Sequence, residues 1–180
     1  ATPLQSQGQA EDVTRVMQTE LARLRTGHPW RVASGRSFVG AYGIARSYEE
    51  AREALTLAER LDLKADIVHA RDLLIFRVLA RDQAAIVDLV RDLLGPLSQA
   101  RGGPELLLHT LQAYFDAGDV ATDAARILHV SVRTVTYRLA RVKTLTGYDT
   151  ADPAQRFALH AAVLGAQLLD WPTHPLLPSR

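Results

Sequence analysis

The residues whose types and spacing could do chemistry lie between Val120 and Lys143, and the chemistry they offer is contact with a polyanion. From Arg126 to Tyr148 the charged side chains are Arg126, Arg133, Arg138, Arg141 and Lys143, with no carboxylate among them, whereas Glu105, Asp116, Asp119 and Asp123 stand just upstream. Val120 to Val142 reads as two short helices joined by a turn of about three residues, the form of a helix-turn-helix. Two helices crossing steeply need small residues where they touch, supplied by Ala124 and Ala125, and apolar anchors, supplied by Leu128, Val130, Val135, Leu139 and Val142. Packing uses up those positions. Val132, Arg133, Thr136, Tyr137, Arg138, Arg141 and Lys143 are left outward on the second helix, with Ser131 and Thr134 at its start and Thr122 near the start of the first. Hydroxyls and amides at a helix start bind phosphate, and arginines further along reach phosphates or base edges. These ten residues are the candidate contacts to double-stranded DNA. The plainer alternative is an amphipathic helix pair with a solvated basic face, but like charges on one helix repel, and a merely structural helix has no reason to carry them.

Other chemistries find little support. The chain has 180 residues and no cysteine, which removes disulfides, thiolate metal sites and thiol nucleophiles. Six histidines include no i, i+4 pair and no carboxylates grouped at metal spacing. Gly35 and Gly40 are not followed by the Lys-Ser/Thr of a phosphate-binding loop. Glu49 and Glu50 are adjacent, but first-turn charge on a helix explains them better than metal binding. No enzymatic activity, metal or cofactor is expected. No apolar run approaches the roughly 18 residues needed to cross a bilayer, and a cysteine-free chain fits a reducing cytoplasm. With 21 basic and 20 acidic residues the net charge is +1, so attraction to DNA must come from the local stripe.

Most of the chain that positions this stripe reads as helical. Val13, Val16, Met17, Leu21 and Leu24 recur at helical spacing, and Gly27 and Pro29 end the pattern. Trp30 to Ala33 reads as a strand, with a glycine-rich connection over Phe38 to Gly43. Ser47-Tyr48-Glu49-Glu50 has the form of a capping box and predicts a second helix from there through Leu61. Asp66 to Ala70 reads as a short strand. Ile86, Val87, Leu89, Val90, Leu93 and Leu94 form a stripe ending at Gly95-Pro96, and Arg101 to Pro104 is the clearest linker. Glu105 to Phe115 is a further helix, after which Asp119 is offered as the next N-cap. Asp152-Pro153 begins a last helix, with Phe157, Ala161, Leu164 and Leu168 expected inward. The fold class is mainly α with a small α+β N-terminal part, and the C-terminal helical domain contains the helix-turn-helix.

The run Ala124-Ala125-x-x-Leu128, then Thr134-Val135-x-Tyr137-Arg138-Leu139-x-Arg141-Val142, Leu145-Thr146-Gly147 and Asp152-Pro153, resembles the C-terminal helix-turn-helix of the PucR/CdaR family of bacterial transcription regulators. Leu108-x-Thr110-Leu111 and Tyr114-Phe115 are similar to that family's lead-in helix. Gly35 and Ser47-Tyr48-x-x-Ala51-x-x-Ala54-Leu55 resemble the end of the degenerate GGDEF-like domain that precedes it. Active GGDEF domains use adjacent carboxylates beside a Gly-Gly turn, a motif not found here. There are two departures: Ser131-Val132-Arg133 replaces a His-Arg-Asn-like triplet, and His129 stands where a turn glycine is common.

The resemblance implies a sequence-specific DNA-binding regulator, cytoplasmic and homodimeric, with a small-molecule effector bound by a domain outside this chain. Its alternative is a ligand-sensing or protein-interaction module whose helix-turn-helix does not bind DNA. The expected organisation is a linker or disordered end over 1–12, a partial GGDEF-like domain over 13–80, a connecting helix and linker over 81–104, the DNA-binding domain over 105–170 and a tail over 171–180. The opening Ala and the loose first residues suggest a fragment of a longer chain.

Overall fold

The computed structural model describes residues 13, 15–17, 19–21, 23, 30–61, 63 and 65–176. The expected linker 1–12, the end of the first predicted helix at Leu24 to Pro29 and the last four tail residues lie outside them; the described residues between Val13 and Arg23 are helical. The chain divides into two compact units, 1–78 and 79–180.

In the first unit, β1 (Val32–Ser34) and β2 (Ile67–His69) form a two-stranded parallel sheet. Val32, Ala33 and Ser34 stand opposite Ile67, Val68 and His69. Between them runs α1 (Gly40–Arg60), which packs on both strands. Parallel strands require such a crossover, since no tight turn can join them. Ala54, Leu57 and Ala58 of α1 are buried together with Val68, Ala70 and Leu73.

The start of α1 differs from the sequence expectation. The helix begins at Gly40, so Phe38 to Gly43 is not a turn-rich connection, and Ser47 lies inside the helix rather than capping it. Glu50 is therefore no first-turn charge. It is buried at 3% exposure and accepts hydrogen bonds from Arg36 Nε at 2.9 Å and the Arg36 backbone N–H at 3.2 Å, while Arg77 Nη1 lies 3.3 Å away. A carboxylate taken out of water needs such cations and donors. The turn that brings Arg36 there requires Gly35, because a Cβ at that position would stand 2.0 Å from the Ser47 carbonyl oxygen. After β2 comes α2 (Leu74–Leu79).

The second unit contains α3 (Gln83–Leu94), a 3-10 turn (Gly95–Gln99), α4 (Glu105–Asp116), α5 (Ala121–Ile127), α6 (Val132–Thr146) and α7 (Pro153–Leu169). Asp82 caps α3 by accepting from Ala85 N–H at 3.0 Å, and Asp152 caps α7 by accepting from Gln155 N–H at 2.8 Å, with Pro153 at the first helical position as its fixed φ favours. Leu94, Leu97, Leu111, Val142 and Leu159 are fully buried in one core. Residues 81–104, read from the sequence as a connection, thus contribute two of its central leucines. The axes of α3 and α7 approach at Gly165, where a Cβ would stand 2.9 Å from Ile86 Cγ1.

The inward face of α7 is not the one expected. Leu159, Ala162, Val163 and Ala166 are buried, whereas Phe157 is 74% exposed. Both stripes are apolar at helical spacing, so periodicity alone could not choose between them.

Candidate nucleic-acid interface

The pair α5 and α6 is built on α4. Ala124 and Ala125 of α5 are buried against Ala113 and Val135, with Tyr114, Leu128, Val130 and Leu139 packed around them. Small side chains at this point let the two helices cross closely. The turn is closed by Val130 N–H donating to the Ala125 carbonyl at 3.0 Å, and His129 supplies its left-handed residue at φ 53°. That conformation favours glycine, and histidine is among the few other residues found there. Ahead of α5 the expected cap is not made. Asp119 adopts φ 67° and pairs through its carboxylate with Arg156 Nε at 3.1 Å, so α5 begins at an N-cap Val120 with no side-chain bond.

Ser131 is the N-cap of α6. Its Oγ accepts from Thr134 N–H at 3.1 Å and lies 2.8 Å from Thr134 Oγ1, so both hydroxyls lie at the helix start as expected. The other end is closed by Gly147 at φ 79°, whose N–H donates to the Lys143 carbonyl at 2.9 Å. Val135 and Val142 are the buried side of α6. Thr122, Ser131, Val132, Arg133, Thr136, Tyr137, Arg141 and Lys143 are exposed, Tyr137 to 71%, and Thr134 is half-buried.

The basic residues are not equivalent. Arg126 is paired with Asp123, one turn earlier on α5. Lys143 Nζ lies 2.6 Å from Asp149 Oδ2, a carboxylate just past the stretch that looked free of them, and this pairing holds the Asp149 carboxyl below its ordinary range. Arg138, expected outward, is half-buried and turned back toward α4, where its Nη1 lies 3.4 Å from Thr110 Oγ1. Thr110 itself is fully buried and donates its hydroxyl proton to the Leu106 carbonyl at 2.8 Å. Arg133 and Arg141 have no such partner among the described residues. They lie eight residues apart, about 12 Å along the helix at 1.5 Å per residue, on the same outward side as Tyr137. Sequence reasoning missed Ala140 and Thr144, which are exposed on this side too; the Thr144 hydroxyl donates to the Ala140 carbonyl at 2.9 Å. Their small size leaves room for close approach, a signal available from helical spacing once the buried side is known.

Residues 107–164 match the family model of the PucR C-terminal helix-turn-helix domain, and residues 2–57 match that of a GGDEF-like domain. Residues 107–164 are thus a helix-turn-helix domain of the PucR type. An uncharacterized protein of Mycobacterium tuberculosis strain H37Rv is 42% identical over 106 residues, covering 59% of this chain and 25% of that protein. The carbohydrate diacid regulator of Escherichia coli K12 is 30% identical over 138 residues, covering 74% of this chain and 35% of the regulator. Among solved structures, a regulator of polyketide synthase expression from Bifidobacterium adolescentis is similar at 28% identity and a TM-score of 0.43, over 73% of this chain and 54% of that one. The chain thus spans 25% and 35% of the length of these two curated relatives. The match to the PucR helix-turn-helix model begins in α4 and ends in α7, so it contains the whole surface described above. Among the described residues no helix is long and apolar enough to cross a membrane.

Proposed function

We propose that this chain is the DNA-binding part of a bacterial transcription regulator that works in the cytoplasm, with α6 as the recognition helix. One observation carries the reading: the outward side of α6 bears Arg133, Tyr137 and Arg141 with no acidic side chain, while the helix is held from behind by buried Val135 and Val142. A helix presenting guanidinium groups without a partner among the described residues suits a major groove. Thr122, Ser131, Val132, Arg133, Thr134, Thr136, Tyr137 and Arg141 form the contact set. Arg138 and Lys143 stand at its edge, each committed to a partner within the protein, and act mainly by positioning α6.

The unit 79–180 is the DNA-binding domain and 1–78 a partial GGDEF-like domain without catalysis. A homodimer presents two copies of α6 about 34 Å apart, one DNA turn, so that each meets half of an inverted repeat. The small-molecule effector is bound outside this chain. Selection from a random duplex pool tests the reading: two-fold symmetric sites with half-sites one turn apart are expected, and an unselected pool would contradict it. The exposed Val132 and Tyr137 favour a second reading, docking of a protein on the same face, whose binding would show no steep salt dependence.

A further inference from the structure

The first turn of α6 carries a side chain that folding does not use. Val132 is 42% exposed and belongs to neither buried cluster of the second unit. A β-branched residue also has modest helix propensity, so neither packing nor local preference accounts for it. One turn on, the Thr136 hydroxyl donates to the Val132 carbonyl at 3.0 Å, which leaves that side chain a methyl group and an acceptor, but no donor, to offer a partner. Beside this pair Arg133 is exposed and has no ion-pair or hydrogen-bond partner among the described residues.

The N-terminal residues of a recognition helix are those that reach base edges. In the major groove the single apolar group is the thymine C5 methyl, and the pair of acceptors that fits a guanidinium fork is guanine O6 and N7. A valine driven into that groove opposite polar edges would leave them without partners, whereas against a methyl it removes apolar surface from water. Resting on the DNA-binding reading above, we propose that Val132, with the Thr136 methyl, packs on a thymine methyl in each half-site, and that Arg133 binds a guanine beside it. Specificity would then sit in the first turn of α6, while Arg141, further along, meets phosphate.

The test uses the 180-residue chain and the duplex it selects from a random pool, with single-atom changes made in the DNA. Replacing thymine by deoxyuridine removes only the methyl group. At the contacted thymine of one half-site this lowers wild-type affinity about fourfold, the equivalent of one buried methyl, and has a clearly smaller effect on Val132→Ala, which keeps only the Thr136 methyl against it. Replacing guanine by 7-deazaguanine at the adjacent position lowers wild-type affinity about fivefold or more and leaves Arg133→Ala unchanged. Wild-type affinity indifferent to deoxyuridine at every position, or an equal deoxyuridine effect in Val132→Ala, overturns this proposal while leaving DNA binding standing. Failure to select any duplex at low salt overturns both.

Discussion

Arg138 Nη1 lies 3.4 Å from Thr110 Oγ1, joining the middle of α6 to the buried side of α4. The threonine hydroxyl is thereby used twice, as donor to the Leu106 carbonyl and as acceptor from the guanidinium. An arginine held in this way ties α6 to α4 in addition to the packing of Val135 and Val142.

Arg138 and Arg133 should therefore fail differently. Arg138→Ala and Thr110→Val each lower the stability of the second unit by about 1 kcal/mol, the worth of an ordinary hydrogen bond, and their double mutant costs less than the sum. Both weaken DNA binding without changing its salt slope. Arg133→Ala leaves stability unchanged and alters preference at one base. Thermal unfolding and binding titrations at several salt concentrations distinguish them.

The buried carboxylate of the first unit predicts a pH effect. Hydrogen bonding to Arg36 holds Glu50 down from 4.5 to about 2 against the opposing effect of burial. Because the folded value is the lower one, the stabilisation is present above the ordinary carboxylate range and is lost as pH falls from about 4.5 toward 2. It amounts to on the order of 3 kcal/mol at neutral pH. Glu50→Gln should lower the stability of this unit at pH 7 and flatten its dependence on pH in that window. Trp30 fluorescence in a Trp171→Phe background reads the first unit by itself.

The turn of the helix-turn-helix gives a prediction from backbone geometry. His129 sits at φ 53°, where a side chain carries a cost that glycine does not. His129→Gly is expected to leave the midpoint unchanged or stabilise by up to about 1 kcal/mol, its unfolded-chain entropy offsetting part of the gain. His129→Val should cost about 1 to 2 kcal/mol, since β-branched residues are outliers at positive φ. Thermal unfolding of the two variants checks the sign.

The face of α7 is tested by a pair of substitutions. Leu159→Ala empties a fully buried position and should cost about 2 to 5 kcal/mol, while Phe157→Ser changes an exposed one and should stay within about 0.5 kcal/mol. Denaturant titration at low protein concentration would show the reverse order if the sequence expectation for this helix were right.

What the sequence made legible follows from how local each signal is. The capping Asp152 with Pro153, the close of α6 at Gly147 and the small residues Ala124 and Ala125 all act on neighbours a few positions away, so their patterns survive in one dimension. The start of α1 does not: Ser47 to Glu50 imitates a cap, but Glu50 is fixed by Arg36, 14 residues before it, and by Arg77 from beyond β2. The site shows the same division. Helical spacing put Arg133, Tyr137 and Arg141 outward, yet Arg138 turns back to a threonine 28 residues upstream, a contact no spacing rule contains. On α7 two apolar stripes competed, and only the position of α3 against Gly165 decides between them.

In this reading α6 binds DNA through Arg133 and Arg141. Fluorescence-anisotropy titration of a double-stranded DNA pool across a range of salt concentrations tests it, comparing the wild-type chain with Arg133→Ala/Arg141→Ala. Wild-type affinity is expected to fall steeply with salt as counterions are released, and the double variant to keep the same fold but bind more weakly, with a slope shallower by about 1 per protomer from the lost Arg141 phosphate contact. Equal affinity and equal slope in the two proteins, or binding indifferent to salt, would contradict it.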